Sequence, residues 1–398
     1  MTQTTTTGAF GTPGRIETID IVRGLVIVIM ALDHTREFTN ASGWAFNPLS
    51  ATDSTPLLYA TRWITHLCAP TFVFLAGVSA RLQALRGLSG GALARRLVTR
   101  GLWLIVLELT LIGFAWSFSV PFLQFFQVIW AIGCSMILLA ALVFLPPVIS
   151  LLIGIAIIAT TSVAVQIPTE TFGDWEALWN VVYRIAFLPD FEHAAVFVAY
   201  PIIPWFGVMA LGYGMGALFA SPKRTTWLLS LGALMLAAFV ALRFTNFYGD
   251  PRPWEPASDP FWTFAAFMDV TKNPPSLSFV LVTLGIVFLL MPLLERLPKA
   301  IAGFFLVFGS VPLMAYVAHI FVMHLYAIGV RVIAGADLAA MTDTMRAFIF
   351  ESERFGTFSL PIGLVYCVWA AVILTIYPLC RYWSGVKRRR KDWWLSYM

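Results

Sequence analysis

The sequence predicts an all-α, polytopic transmembrane helical bundle of about ten helices, with eleven as the alternative, and three observations predict it. Of 398 residues, 59% are hydrophobic and 12% charged, about half the charged share of a soluble domain. Too little polar material remains to cover a water-soluble core of that size. Apolar runs of roughly 20 residues recur along the chain, each long enough to cross about 30 Å of hydrocarbon as a helix. Lysines and arginines collect in alternate connections, as in multi-pass helical proteins. Alternating strand patterns of the outer-membrane barrel kind are absent.

Residues 1–17 are polar and Thr/Gly-rich and read as a disordered cytoplasmic lead. They carry neither a basic n-region nor a small-residue cleavage site, so the first apolar run is expected to stay in the mature protein. Apolar patterning places helices at about 18–38, 62–84, 97–117, 125–145, 148–166, 196–219, 226–247, 276–294, 301–328 and 358–382. Breakers fall where connections are needed: Pro146–Pro147, Ser221–Pro222, Pro251, Pro253, Pro256, Pro274–Pro275 and Pro298. The segment 301–328 is long and carries Pro312, which predicts a kink or a beginning along the membrane surface. The transmembrane domain thus covers 18–384, followed by a basic cytoplasmic tail, 385–398.

With the N-terminus inside, ten helices put both termini in the cytoplasm. The inner segments then hold sixteen of the lysines and arginines, and the outer connections hold six. The outer connections also collect fourteen of the 21 acids. The net charge of +5 belongs to this inner basic surface, where anionic lipid rather than nucleic acid is the expected partner.

Chemistry is sought among the charges that a bilayer makes expensive. Helix 1, IDIVRGLVIVIMALDHTREF, carries Asp20, Arg23, Asp33, His34, Arg36 and Glu37. At 100° per residue, Arg23 and His34 differ by about 20° and Asp20 and His34 by about 40°, so the three share one face over about 21 Å. Asp20 and Arg23, at i and i+3, pair locally. The plainer reading makes that pair an inner-edge anchor and His34 an interfacial residue.

In helix 2, Arg62 and His66 lie one turn apart at the depth of His34. Two histidines on neighbouring helices at one depth make a site for proton transfer; a hydrogen bond from His66 to a backbone carbonyl near Pro70 is the structural alternative. Glu108 falls midway along helix 3, where it is expected to pair with Arg100, Arg62 or a histidine, or to stay protonated, in a supporting role. His319 and His324 are about 140° apart on helix 9 and are not expected to act on one point together. His193 lies in an acidic outer loop and reads as solvated. Cys68, Cys134, Cys367 and Cys380 show no paired spacing and read as buried small apolar residues. No metal-ligand spacing, phosphate loop or nucleophile elbow occurs. Gly212, Gly214 and Gly216 in GYGMGALF suit close helix packing.

Several of these stretches together carry a family resemblance. They are R-x(4)-D-x-x-R-G from Arg15 with the later Asp33-His34, then RWITHLCAPTFVFLAG, RGLWLIVLE, PWFGVMALGYGMG, KNPPSL, VPLMAYVAHIFVMH and YPLCRYW…KDWWLSYM. The chain resembles the bacterial DUF1624 family, which is similar to the catalytic domain of heparan-α-glucosaminide N-acetyltransferases within a wider set of transmembrane acyltransferases. The resemblance implies a multi-pass protein of the bacterial inner membrane that moves an acyl group, acetyl above all, from cytoplasmic acetyl-CoA to an amine or hydroxyl of a periplasmic or extracellular sugar. It implies no metal.

Under that resemblance, Arg23, Arg95, Arg96 and Arg100 contact CoA phosphates. His34 and His66 are the catalytic candidates, as general base or as nucleophile forming an acyl-imidazole. Asp20, Arg23, Asp33, Arg62 and Glu108 support them. The animal enzymes place their histidine shortly after helix 1, whereas the connection from Phe38 to Thr61 here contains none. A proton-coupled transporter or flippase of a small envelope metabolite is the alternative class, using the same intramembrane charges as a relay. Membrane lipids, a small-molecule or glycan acceptor and a second copy of the chain are the expected partners.

Overall fold

The computed structural model describes residues 16–188, 196–390, 392 and 395. Residues 1–15 of the polar lead, His193 and most of the last eight residues lie outside them, while Glu17, the last residue of that lead, already belongs to a helix. Eleven helices carry the architecture: α1 Glu17–Thr39, α2 Pro56–Leu85, α3 Gly90–Ser117, α4 Val128–Leu142, α5 Pro147–Ala164, α6 Ile202–Phe219, α7 Arg224–Thr245, α8 Leu277–Leu294, α9 Lys299–Ser310, α10 Pro312–Ile333 and α11 Ile362–Arg389. Eight of them, α2, α3, α5, α6, α7, α8, α10 and α11, are long and apolar enough to cross a membrane among the described residues. The helix α4 is apolar but only 15 residues long, and α9 has 12. At 23 residues α1 has the length, but it also carries the six charges of Glu17, Asp20, Arg23, Asp33, Arg36 and Glu37.

Those charges are tolerated because α1 is enclosed. It is packed by α2, α8, α9, α10 and α11, and most of its residues are buried. Around this axis α2 packs on α6, α6 on α4 and α5, α3 on α4, and α7 on α8. The arrangement leaves α5, α7 and α11 mainly with outward apolar faces. Helix starts follow local chemistry. Thr55 caps α2 by accepting the Leu58 amide, with Pro56 next to it, and Ser276 caps α8 by accepting the Phe279 amide.

The expected long helix at 301–328 is two helices. Pro312 has no N–H to continue the ladder and disfavours helical backbone in the residue before it, and Val311 takes φ −132°, ψ 54°. The expected helices starting at 125 and 196 begin instead with strands. β1 Gln124–Phe126, β2 Ala186–Leu188 and β3 Val196–Val198 form one small sheet in the order β1-β3-β2. Alternating aromatic side chains suit these runs to strand pairing: Phe125 and Phe187 both pack on Phe197, at 5.4 and 4.6 Å between ring centroids. At the other end, α11 continues through Arg389, so the start of the basic tail is helical.

The glycines of GYGMG do serve close packing, Gly212 against Phe74, Gly214 against Leu151 and Gly216 against Arg81. Cys367, expected inside, is exposed on α11, whereas Cys68 and Cys380 are buried. The tightest approach joins α1 to α9. A Cβ on Gly24 would overlap the Phe305 carbonyl, and one on Gly309 would overlap the Asp20 carbonyl. Gly309→Val is expected to push these helices apart and destabilise the protein by about 1–3 kcal/mol. Thermal unfolding in detergent, read from tryptophan fluorescence, would show the lowered midpoint.

Candidate functional site

The predicted stripe on α1 leads from a basic cavity to a pair of histidines. At the basic end, Arg23 donates to Asp20 Oδ1 at 3.1 Å, to the Leu75 carbonyl at 3.2 Å and to the Ser79 hydroxyl. The local i, i+3 pair expected there is formed, and it is also tied to α2. Beside it opens a cavity of about 980 Å³, lined among other residues by Arg23, Arg86, Arg96, Arg100, Lys387 and Arg388. Among the described lining residues these six cations face a single acid, Asp20. Arg95 does not line the cavity, because it sits one residue, or about 100°, around α3 from Arg96. Lys387 and Arg388 come from the last two turns of α11, the stretch that hydropathy alone assigns to a basic tail.

The cavity also has an apolar lining that includes Met30, Phe72 and Ile129, with Tyr316 beside them. Tyr316 connects it to the histidines, its ring lying 6.4 Å from that of His34 and 5.4 Å from that of His319. His34 Nδ1 is 2.8 Å from His319 Nε2, and the two rings stack at an interplanar angle of 10°. The tautomers of the neutral pair follow from the next bond. His319 Nδ1 lies 3.1 Å from the Ala315 carbonyl, which can only accept, so this nitrogen carries the proton. His319 Nε2 therefore accepts from His34 Nδ1–H, and the lone pair of His34 is left on Nε2. A half-buried imidazole held in that tautomer can act as a base or a nucleophile.

His34 thus pairs with His319 rather than with His66. His66 is buried, with Nδ1 3.3 Å from the Arg62 carbonyl of its own helix and its ring near Trp63 and Phe279. It takes the structural alternative, with Arg62 rather than a residue near Pro70 as the carbonyl partner. His324 sits with its two ring nitrogens 3.0 Å from the Ala115 and Met341 carbonyls and stacks on Phe118, so it and His319 do face different points.

Next to His34, Asp33 accepts from Arg36 Nη2 at 2.9 Å and from Arg62 Nη1 at 3.2 Å. Arg36 reaches Glu37 at 3.4 Å as well. The cluster joins α1 to α2 and fixes the backbone on which His34 stands. Glu108 is not paired with a cation or a histidine. It lies in a π-helical turn, Glu108–Ile112, and accepts the Trp130 amide at 3.1 Å, with the Ile129 amide beside it. Those amides belong to the first turn of α4, whose Gln127 supplies no side-chain cap, and the Glu108 carboxyl oxygen supplies the missing acceptor. The support expected of Glu108 is therefore structural.

Residues 15–246 match the family described as heparan-alpha-glucosaminide N-acetyltransferase, catalytic. Comparison with curated proteins gives no match.

Removing the charge of Asp33 leaves two guanidiniums in a largely buried cluster without their shared carboxylate. Asp33→Asn is expected to cost about 3–5 kcal/mol, seen as a lower unfolding midpoint in detergent and reversed in part when Arg62 is also replaced by Gln.

Proposed function

Since this chain belongs to the family of heparan-α-glucosaminide N-acetyltransferase catalytic domains, a family of multi-pass membrane acetyltransferases, we propose that it transfers acetyl from acetyl-CoA to an amino or hydroxyl group of a sugar. The observation that carries the reading is a six-cation cavity whose wall includes Tyr316, the residue whose ring lies 6.4 Å from that of His34. Phosphate groups suit the arginine-rich mouth, where guanidiniums bind bidentately, and the uncharged arm of the donor suits the apolar interior. Arg23, Arg96 and Arg100 hold the phosphate end, together with Arg86, Lys387 and Arg388.

In this reading His34 Nε2 takes the proton from the acceptor as its nitrogen or oxygen bonds to the acyl carbon. The carbon–sulfur bond breaks, and the proton passes to the departing thiolate. His319 accepts the Nδ1–H bond of His34 and so holds the reactive tautomer. The excess of lysine and arginine at the cavity end supports a cytoplasmic donor and cytoplasmic termini in a ten-helix arrangement. The acceptor is then a periplasmic or extracellular sugar, and the membrane a bacterial inner membrane.

The deciding experiment is incubation of the detergent-solubilised protein with labelled acetyl-CoA. Binding and exchange of the acetyl group are expected, and failure of both overturns the proposal. His34→Ala is expected to abolish acetyl transfer in a single-turnover assay while the unfolding midpoint stays near that of the wild type. Arg96→Gln and Arg388→Gln should each weaken CoA binding about 10-fold, the loss of one charge-assisted contact. Arg95→Gln should leave it unchanged in the same calorimetric titration.

A further inference from the structure

Two hydrogen-bond donors beside His34 have no role in the account so far. Trp116, near the end of α3, presents its ring edge-on to His34 with centroids 4.8 Å apart. Tyr316, one turn before His319 on α10, touches both histidine rings and forms part of the cavity wall. Both side chains are 3% exposed. Trp116 Nε1 approaches the Tyr316 hydroxyl oxygen without forming a well-aligned hydrogen bond, and no other described group meets either atom, so the phenol proton is left to donate and the indole N–H is at best loosely held. Glu108 and His324, on the same two helices, do have partners, the Trp130 amide for one and the Ala115 and Met341 carbonyls for the other, whereas Ser117 Oγ, next to Trp116, also has none among the described residues.

An indole N–H only donates, and a phenol hydroxyl has one proton to give. A single carbonyl oxygen carries two lone pairs and can accept both. At the junction of the cavity and the reactive imidazole, the group that answers both donors is an acyl oxygen.

We infer that Trp116 Nε1 and the Tyr316 hydroxyl bind the thioester carbonyl oxygen of the acyl donor and stabilise the oxyanion it becomes during transfer. The inference rests on the acetyl-transfer reading above. As the acceptor proton passes to His34 Nε2 and the new carbon–nitrogen or carbon–oxygen bond forms, the carbonyl π pair moves onto oxygen. Trp116 and Tyr316 donate to that charge. When the pair returns, the carbon–sulfur bond breaks, and the thiolate takes the proton from His34 and leaves as the thiol. Fixed donors in a water-poor site meet this developing charge without having to reorganise.

Trp116→Phe and Tyr316→Phe remove the donors while keeping aromatic rings in place. Each is expected to lower kcat for acetyl transfer on the order of 100-fold, with the Kd for free CoA unchanged. Infrared difference spectra with ¹³C-carbonyl acetyl-CoA supply a second readout. The bound carbonyl stretch of the wild type should fall below its value in water, and each substitution should move it back. Unchanged kcat in both variants would overturn the assignment. So would a wild-type carbonyl stretch equal to that in water, which decides the matter even if a variant does not fold. A wild type that transfers acetyl normally, with unaffected variants, removes the oxyanion site and keeps the proposed function. A wild type that neither binds nor transfers removes both.

Discussion

Asp33 lies between the guanidiniums of Arg36 and Arg62, and much of the molecule is arranged around keeping that cluster out of hydrocarbon. A helix with charges at both ends of its span is costly against lipid, and cheap only where other helices supply partners. Wrapping α1 in five neighbours achieves this, and the enclosure has a structural consequence. The glycines at positions 24 and 309 become necessary, because α9 must come near enough to shield the Asp20–Arg23 turn. The same enclosure brings α10 alongside, so that His319 arrives at His34.

The site therefore has two kinds of residue. One kind pins α1: Asp33, Arg36 and Arg62 at one end, and Asp20, Arg23 and Ser79 at the other. The other kind clusters around His34: His319, Trp116 and Tyr316, the last of which also lines the cavity. Rigid support for a reacting side chain is worth as much as the side chain itself, since a small misplacement costs rate heavily.

Much of this was legible in the residues, and the gaps have physical causes. Hydropathy located the apolar helices because the bilayer imposes length, and the angular spacing of Asp20, Arg23 and His34 correctly put them on one face. Depth matched His34 with His66, but depth is one coordinate, and which helix stands opposite is a matter of packing. His319 lay at a comparable depth on a helix that runs alongside α1. Its separation from His324 by about 140° already meant that only one of the two could face any given neighbour. The short strands at 124–126 and 196–198 were hidden because their apolar residues continue directly into helices. The supporting role read for Glu108 stands, but its partners are backbone amides rather than a cation or a histidine, and amides leave no mark in a search for opposite charges. Hydropathy assigns Lys387 and Arg388 to a basic cytoplasmic tail because α11 outruns the apolar stretch by two turns.

Helix α1 is anchored to α2 near both of its ends, by Arg23 to Ser79 and by Asp33 to Arg62. From Arg23 to His34 is eleven residues of unbroken helix, a rise of about 16 Å. With its two ends tied to α2 by separate contacts, this helix can neither shorten nor slide. It acts as a length standard inside the protein. In the proposed reading, a donor held by its charged head at the lower mark would present to the imidazole the atom that lies that far along its arm, so the reacting bond would be chosen by measuring as well as by recognising.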